Sequence, residues 1–394
     1  MLFQTLDDKK SCVGIYHDGN LIYNDIPSDL SKTWSYSGFL EGSEIEYANL
    51  YVQGRGLDEV CPPELEEEWR ERKARMKAFL RCFNTAKINL KDICLFEVIP
   101  EAFLLEWCEI KNKICTYIFE NYEKPSNYEF LLQVTQIIEK IKYQELNIDP
   151  TELHSKLGSY RSRAFLKKIK TLEPFIDYNV FGTVTGRLTT KSYSFPILTL
   201  DKRHRNVLKP NNDWFVEFDY NAAELRTFLA LQDIEQPQED LHEWNVKNIF
   251  GDSSTREEAK TRLFAWLYNP NSDDYLLNRT YDREKLIKEN WKGGKITTKF
   301  DRTIEVDERR ALNYLIQSTS SDLFLRQMIK VDELLEDSRS YVAFTLHDSL
   351  TIDLAEEDKG KIPEIVKIFG STPFGEYVVN VSAGKDYGSM RKIQ

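Results

Sequence analysis

With 394 residues, 41% of them hydrophobic and 12% aromatic, the chain can fill two or three structural units with a large core, which excludes disorder on a large scale. The opening MLFQTLDDKK has no apolar signal core and no later stretch is apolar for long enough to span a bilayer, so the expectation is a soluble, intracellular, cytoplasmic protein without a membrane partner. The formal net charge is −11, yet residues 151–210 carry twelve Lys/Arg against four acids, a local +8 that leaves the remainder at −19. A basic tract on an acidic body suits a phosphate backbone, and it suits a solvated helix face equally well. Charge permits a nucleic-acid partner without proving one. All six cysteines precede residue 116 and none forms a Cys-x-x-Cys, which argues against a zinc ribbon and for buried thiols.

Taken in chain order, CVGIYHDGNLIYNDI predicts a hairpin around Asp18-Gly19, and EIEYANLYVQG is a second alternating run. Pro62 and Pro63 open a charged helix with Leu65, Trp69, Met76 and Leu80 on its apolar side and Glu66/Arg70 and Glu68/Arg72 as i,i+4 pairs. Residues 100–170 read as helical, with stripes such as Phe103, Trp107, Ile110 and Ile114, then Ile137, Ile138 and Ile141. A Thr/Gly/Ser-rich loop, GTVTGRLTTKSYS, follows. WFVEFDY predicts a buried strand, and helices are predicted over 222–233, 239–250 and 255–268, the last ended by Asn269-Pro270. Gly293-Gly294 marks a turn, 306–335 a long helix, and YVAFTLHDSLTIDL two strands around His347-Asp348. No internal repeat is visible.

Alternation in WFVEFDY puts Phe215, Glu217 and Asp219 on one face, with Asp219 at the strand end, and Asp348 falls at the tip of the later hairpin. Carboxylates on adjacent strand ends can hold two divalent ions for in-line displacement at phosphorus; singly, each is more often a cap or turn residue than a ligand. Arg256, Lys260, Phe264 and Tyr268 are spaced by four and share one stripe of a helix. Two cations followed by two rings suit a triphosphate at one end and a base and sugar at the other, although an amphipathic helix with its cations outside fits the spacing too. Arg309, Asn313 and Gln317 repeat the spacing as a polar stripe able to reach template or primer in the minor groove.

From about residue 150 to the C-terminus the chain resembles the polymerase region of the family A DNA polymerases. FDYNAAELRTFLAL is similar to that family's D-Y-S-Q-I-E-L-R, which implies Asp219 as a metal ligand, help from the Tyr220 carbonyl, and Glu224 as the gate against ribose. The stripe Arg256, Lys260, Phe264, Tyr268 resembles the fingers helix R-x-x-x-K-x-x-x-F-x-x-x-Y-G that binds the incoming triphosphate, and His242 in EDLHEWNVKNIFG resembles the histidine near the phosphates. VDERRALNYLIQSTSSD is similar to E-R-x-A-x-N-x-P-I-Q-G-T-A-A-D, implying duplex and template roles for Arg309, Asn313 and Gln317. TLHDSL resembles V-H-D-E-L, making Asp348 the second metal ligand and His347 a primer-side neighbour. GTVTGRLTT matches T-x-T-G-R-L-S-S, with Arg187 reaching primer end and nucleotide, while LHSKLGSYRSR resembles the thumb base, bringing Arg161, Arg163, Lys167 and Lys168 toward DNA. Three positions depart from the family pattern: Ser349 replaces the acid after the motif aspartate, Asn269 the glycine after the fingers tyrosine, and Ala222 the glutamine before the gate. The stretch 269–306 is also shorter than the family's, which bears on speed and processivity rather than on the reaction.

The resemblance implies an α+β, right-hand polymerase with a thumb at 96–180, a β-palm at 181–238 and 306–394, helical fingers at 239–305, and a small N-terminal β-rich module at 1–95. It implies primer–template DNA and dNTPs as partners, two Mg²⁺ ions with Mn²⁺ able to substitute, and Lys260 as a catalytic proton donor. Family members often carry a proofreading nuclease that needs an Asp-x-Glu on its first strand; none occurs near the start, so no 3′→5′ exonuclease is expected, and an exonuclease or processivity factor would come from another chain. Residues 1–95 read equally as a degenerate nuclease, a partner-binding module or a DNA-end platform. The alternatives for the whole chain are a single-subunit RNA polymerase, against which Glu224 argues, and an inactive polymerase-like DNA-binding subunit, against which the retained Asp219, Asp348, Arg256 and Lys260 argue.

Overall fold

The computed structural model describes residues 1–394 apart from 10–11, 24–25, 41–43, 91–92, 152, 154–158, 252–253 and 394; side chains at 7–9 and 12–13 also lie outside the description. Lys156 and most of the LHSKLG segment read as the thumb base therefore fall outside the described residues. The chain divides into two compact units, Met1–Glu139 and Lys140–Gln394. No described helix is long and apolar enough to cross a membrane.

In the first unit, β1 (Phe3–Lys9), β2 (Cys12–His17) and β3 (Asn20–Ile22) form an antiparallel meander. Its second turn is the predicted hairpin, with both central residues, Asp18 (φ 46°) and Gly19 (φ 76°), left-handed as a two-residue loop between right-twisted strands requires. Three helices follow, α1 (Glu66–Thr85), α2 (Glu101–Asn121) and α3 (Tyr128–Lys142). Trp69 of α1 stacks on Trp107 of α2 at 5.0 Å, and Ile110, Ile114 and Ile118 are fully buried beside Trp69. Two local readings are corrected. EIEYANLYVQG supplies strand at Glu46–Tyr47 and then coils into the helical turn Ala48–Tyr51, because Ala48 and Val52, four residues apart, bury together in one cluster with Ile110 rather than on alternate faces. The i,i+4 pairs of α1 are replaced by pairing across helices, Arg72 with Glu106 and Lys113 with Glu68, since α1 and α2 pack side by side. Cys108 and Cys115 are buried thiols, whereas Cys94 is disulfide-bonded, against the expectation of thiols throughout.

The second unit opens with α4 (Tyr160–Ile169) and a long irregular segment, part of which (Asn147–Ile148) pairs with Leu208–Lys209 where helix was predicted. Next come β4 (Trp214–Tyr220), α5 (Ala223–Leu231), α6 (Leu241–Asn245) and α7 (Arg256–Tyr268). The helix predicted over 239–250 is in fact α6 followed by a π turn over Val246–Phe250 that ends at left-handed Gly251. Beyond α8 (Arg283–Asn290), a small sheet of β5 (Trp291–Lys292), β6 (Lys295–Thr297) and β7 (Thr303–Glu305) turns at Gly293-Gly294, both left-handed. The long α9 (Glu308–Leu334) leads to β8 (Tyr341–Leu346), β9 (Ser349–Leu354), α10 (Ile362–Gly370), β10 (Val379–Gly384) and β11 (Arg391–Lys392).

The central sheet is antiparallel throughout, in the order β8-β9-β4-β10-β11. Every residue of β9 is buried, as expected for a strand covered on both faces. One face packs on α9 and α10, where Phe369 stacks on Tyr220 at 4.3 Å and Phe324 meets Phe369 edge-on. Phe215, Phe344 and Tyr387 make a mutual edge-to-face cluster elsewhere in the core. The mixed helix-and-sheet architecture is the expected α+β class.

Candidate active site

Two carboxylates mark the end of the central sheet. Asp219 lies opposite Ser349 of β9 and Asn380 of β10, and Asp348 precedes Ser349 at the tip of the β8–β9 turn, so the register brings the two acids to neighbouring strand ends. The turn is sharp because His347 takes φ 60°. Burial, then the Asp348 and Glu217 charges, pushes the Asp219 carboxyl up to about 7, while a hydrogen bond with Asn380 and the Lys260 charge oppose the shift. Asp348 is raised as well, by burial and by Glu224, against the pull of His347 and Arg187. Two half-buried acids whose ionised forms are disfavoured, Asp219 in part by Asp348, are a donor set suited to a hard divalent cation. Among the described residues no group of three or more His, Cys, Asp or Glu could cage an ion unaided. Water or phosphate oxygens would complete the shell, which is how Mg²⁺ is commonly held. Tyr220, the expected carbonyl donor, sits opposite Val379 in the ladder, and its buried hydroxyl donates to the Phe369 carbonyl at 2.7 Å.

Beside the acids, Glu224 in the first turn of α5 accepts from Arg187 and from the Tyr268 hydroxyl. Burial and the adjacent Glu224 hold the Tyr268 phenol protonated, far above its usual range. Arg226, two residues further along α5, is buried and engaged elsewhere: it donates to the carbonyls of Asn221 (2.8 Å), Pro237 (2.9 Å) and Glu239 (3.0 Å). The loop arginine Arg187 also lines a small cavity with Ser321, Thr345 and His347, and His347 itself is exposed at the turn.

The stripe on α7 forms as read. The helix starts at a capping box, Thr255 with Glu258, and buries Ala259, Leu263, Trp266 and Leu267. Arg256, Lys260, Phe264 and Tyr268 flank that buried face, with Phe264 stacked on Tyr268 at 5.9 Å. Arg256 is held by Asp240 through two bonds, Nη2 to Oδ2 at 2.8 Å and Nε to Oδ1 at 3.2 Å. Asp240 also caps α6 and accepts from Asn221 at 2.7 Å; despite its burial, these donors keep it well below the usual carboxylate range. His242 is 3% exposed, and burial, then the Arg256 charge, lowers its pKa to about 4, leaving a neutral ring at 5.9 Å from Phe264. Its Nδ1 is buried without a hydrogen-bond partner.

On α9, Arg309 is exposed and Asn313 and Gln317 are half-buried. A cleft of about 320 Å³ brings Arg309 and Asn313 together with Tyr268, Leu267, Arg283 and Lys288, and the Asn313 Oδ1 is buried there without a partner. Arg161, Arg163, Lys167 and Lys168 are all exposed on α4. Part of the basic tract is already paired, Lys191 with Asp177 at 3.1 Å and Arg203 with Asp201. Sequence reasoning did not single out Asp240, Asn380 or the pair Arg302–Asp322. An Asp two residues before His242 was a visible N-cap signal; the other three depend on non-local register and packing, which leave no mark in spacing.

No protein-family model matches the chain. Among curated proteins it is 25% identical over 327 residues to the thermostable DNA polymerase I of Thermus aquaticus, an overlap of 67% of this chain and 38% of that protein. It is 24% identical to the DNA polymerase of Bacillus phage SP01 (54% of this chain, 31% of that one) and 22% identical to DNA polymerase I of Chloroflexus aurantiacus (54% and 28%). The matched segment is thus about a third of the length of these relatives. Among solved structures, the POL domain of Pol1 from M. smegmatis, in complex with DNA primer-template and dNTP, superposes with a TM-score of 0.67 at 13% identity, over 98% of this chain and 95% of that domain, which shows a shared fold. In sequence and in fold, then, this chain is similar to the polymerase region of DNA polymerase I proteins.

Proposed function

We propose that the protein is a DNA-directed DNA polymerase that adds dNTPs to a primer 3′-hydroxyl. The observation that carries this reading is the half-buried pair Asp219 and Asp348 at neighbouring strand ends, with Lys260 of α7, Arg187 and Glu224 near enough to bias their charge. Asp219, Asp348 and the Tyr220 carbonyl would hold the divalent ions, Mg²⁺ or Mn²⁺, which supply activation of the 3′-hydroxyl and neutralisation of phosphate charge when bound. Arg256 and Lys260 offset charge on the triphosphate, and neutral His242 offers it a hydrogen bond. Lys260 is placed to protonate the departing pyrophosphate. Phe264 and Tyr268 bracket base and sugar, and Glu224 closes the space where a 2′-hydroxyl would lie.

In this reading the thumb spans 96–180, the palm 181–238 and 306–394, and the fingers 239–305. Primer–template DNA runs along Arg161, Arg163, Lys167 and Lys168 toward Arg187, His347, Arg309, Asn313 and Gln317. A single-subunit RNA polymerase has no use for an acid held against the sugar by two donors, as Glu224 is. An inactive DNA-binding copy has no use for two neighbouring carboxylates with raised pKa values, which cost stability when nothing binds them.

The test is extension of a labelled primer with Mg²⁺ and single nucleotides on four templates that differ in the templating base. Incorporation of the complementary dNTP on each template supports the reading. Addition regardless of template, or of rNTPs in preference to dNTPs, overturns it.

A further inference from the structure

Arg302 and Asp322 form an ion pair sealed inside the second unit. Arg302 Nη2 lies 2.6 Å from Oδ1 and Nε 2.9 Å from Oδ2, and the Asp322 side chain is 2% exposed. A two-bond fork of this kind fixes the plane of the guanidinium as well as its place. The loop that presents Arg302 is itself closed. The Thr298 hydroxyl accepts from the amides of Phe300 and Arg302, both at 3.3 Å, Asp301 takes φ 62°, and Arg326 lies over the Phe300 ring at 4.8 Å. A buried ion pair adds little stability over a well-packed apolar pair, so its presence calls for a geometric reason.

That reason lies against the guanidinium. A Cβ added at Gly186 would stand 2.5 Å from Arg302 Nη2 and 2.7 Å from Cζ, and Gly186 has φ +77°. Glycine is required there twice over, for the left-handed turn and for the close approach of Arg302. The turn is tight: Gly186 N donates to Thr183 O at 3.2 Å, and the Thr183 hydroxyl donates to the Arg187 carbonyl at 2.9 Å. The next side chain along, Arg187, donates to Glu224.

We infer that Arg302, clamped by Asp322, is a positioning residue that forms the floor of the Thr183–Arg187 turn and thereby sets where Arg187 meets Glu224. Asp322 has two parts in this. It orients the fork, and it cancels a positive charge that would otherwise repel Arg187 from inside the protein. The expected consequence for sugar selection rests on the polymerase reading; the consequence for the turn does not.

The test uses the full-length protein and four variants: Arg302→Lys, Asp322→Asn, Gly186→Ala, and the double Arg302→Met/Asp322→Leu, in which two apolar side chains replace the pair so that folding survives. Circular dichroism and thermal melting establish that the double variant is folded. Two readouts follow, neither of which moves if the pair only supports the fold. The first is hydrogen exchange of the Gly186 and Arg187 amides, expected at least tenfold faster in the double variant than in wild type. The second is the ratio of kcat/KM for a matched rNTP over the dNTP, expected to rise about tenfold through a higher KM for dNTP with kcat changed less. Arg302→Lys, which keeps charge without the fork, should recover only part of the ratio. A folded double variant with wild-type exchange at Gly186 and a wild-type ratio overturns the inference. Faster exchange in the double variant together with a wild type that extends no primer would retain the positioning role and overturn the polymerase reading instead.

Discussion

The hydroxyl of Tyr268, at the last turn of α7, donates to the Oε2 of Glu224 in the first turn of α5, joining two elements 44 residues apart beside the paired acids. Glu224 is also bonded by Arg187, so each of its oxygens already accepts from one fixed donor. A 2′-hydroxyl placed there would have to disturb these two donors or go without a good partner, at a cost of about 1–3 kcal/mol beyond any clash. Glu224→Ala is therefore expected to raise relative rNTP use by ten- to a hundredfold and to slow dNTP addition somewhat. Tyr268→Phe, which keeps the ring on Phe264 and loses one bond, should give a smaller rise in the same direction. Measured kcat/KM ratios for a matched rNTP and dNTP check both; an unmoved ratio in Glu224→Ala removes it from sugar selection.

Asp240 links the cap of α6 to the guanidinium of Arg256. Asp240→Ala loses a cap worth about 1 kcal/mol and leaves Arg256 held only by the exposed Glu257, at the end of α7 proposed to meet the triphosphate. A several-fold higher KM for dNTP, with kcat less affected, is the expected outcome of steady-state titration. Equal KM values for variant and wild type would show that Asp240 acts on stability and not on the nucleotide.

The raised Asp219 carboxyl has a pH signature. Its pKa goes from 3.8 to about 7 on folding. Between those values the folded chain keeps a proton that the unfolded chain has released, so stability of the metal-free protein falls as pH rises from 4 to 7 and levels off above. The size is about 1.36 kcal/mol per pH unit, roughly 4 kcal/mol at pH 8. Asp219→Asn should thus raise the melting temperature at pH 8 in EDTA and leave it little changed at pH 4. Mg²⁺ should stabilise wild type at pH 8 and the Asn variant much less. Calorimetric scans at the two pH values, with and without the ion, decide it; a variant equally stabilised at both pH values contradicts the assignment.

Without an early Asp-x-Glu, the chain is expected to leave a mismatched, end-labelled primer intact in Mg²⁺ without dNTP. Metal-dependent shortening that disappears when acids within residues 1–95 are replaced would show that a nuclease resides there.

What the sequence made legible was whatever local chemistry enforces. The α7 stripe followed from 3.6-residue periodicity, and the turns at Asp18-Gly19, Gly293-Gly294 and His347-Asp348 followed from residues that tolerate positive φ. Asp219 and Asp348 were visible as strand-end acids, because alternation in WFVEFDY and in the hairpin fixes their faces. Helix breaks were less legible. The π turn over Val246–Phe250 interrupts no hydrophobic pattern, and Ala48–Tyr51 coils where alternation suggested strand. Contacts set by tertiary register could not be read at all: Asn380 reaches Asp219 only because β10 pairs with β4, and Arg302 meets Asp322 and Gly186 only once the loop before β7 folds onto α9. The small sheet β5–β6–β7 was reduced in the sequence to one glycine turn, since its strands are two or three residues long.

The most direct test of the central claim is single-turnover primer extension by Asp219→Ala and Asp348→Ala, run beside a titration of primer–template binding. The carboxylates are half-buried at the sheet end, whereas Arg161, Arg163, Lys167 and Lys168 stand exposed on α4, so chemistry and DNA affinity are expected to separate. Loss of nucleotide addition by a thousandfold or more in each variant, with DNA affinity within a few-fold of wild type, is the result expected for acids that hold the reacting centre. Near-normal extension by either variant would contradict it.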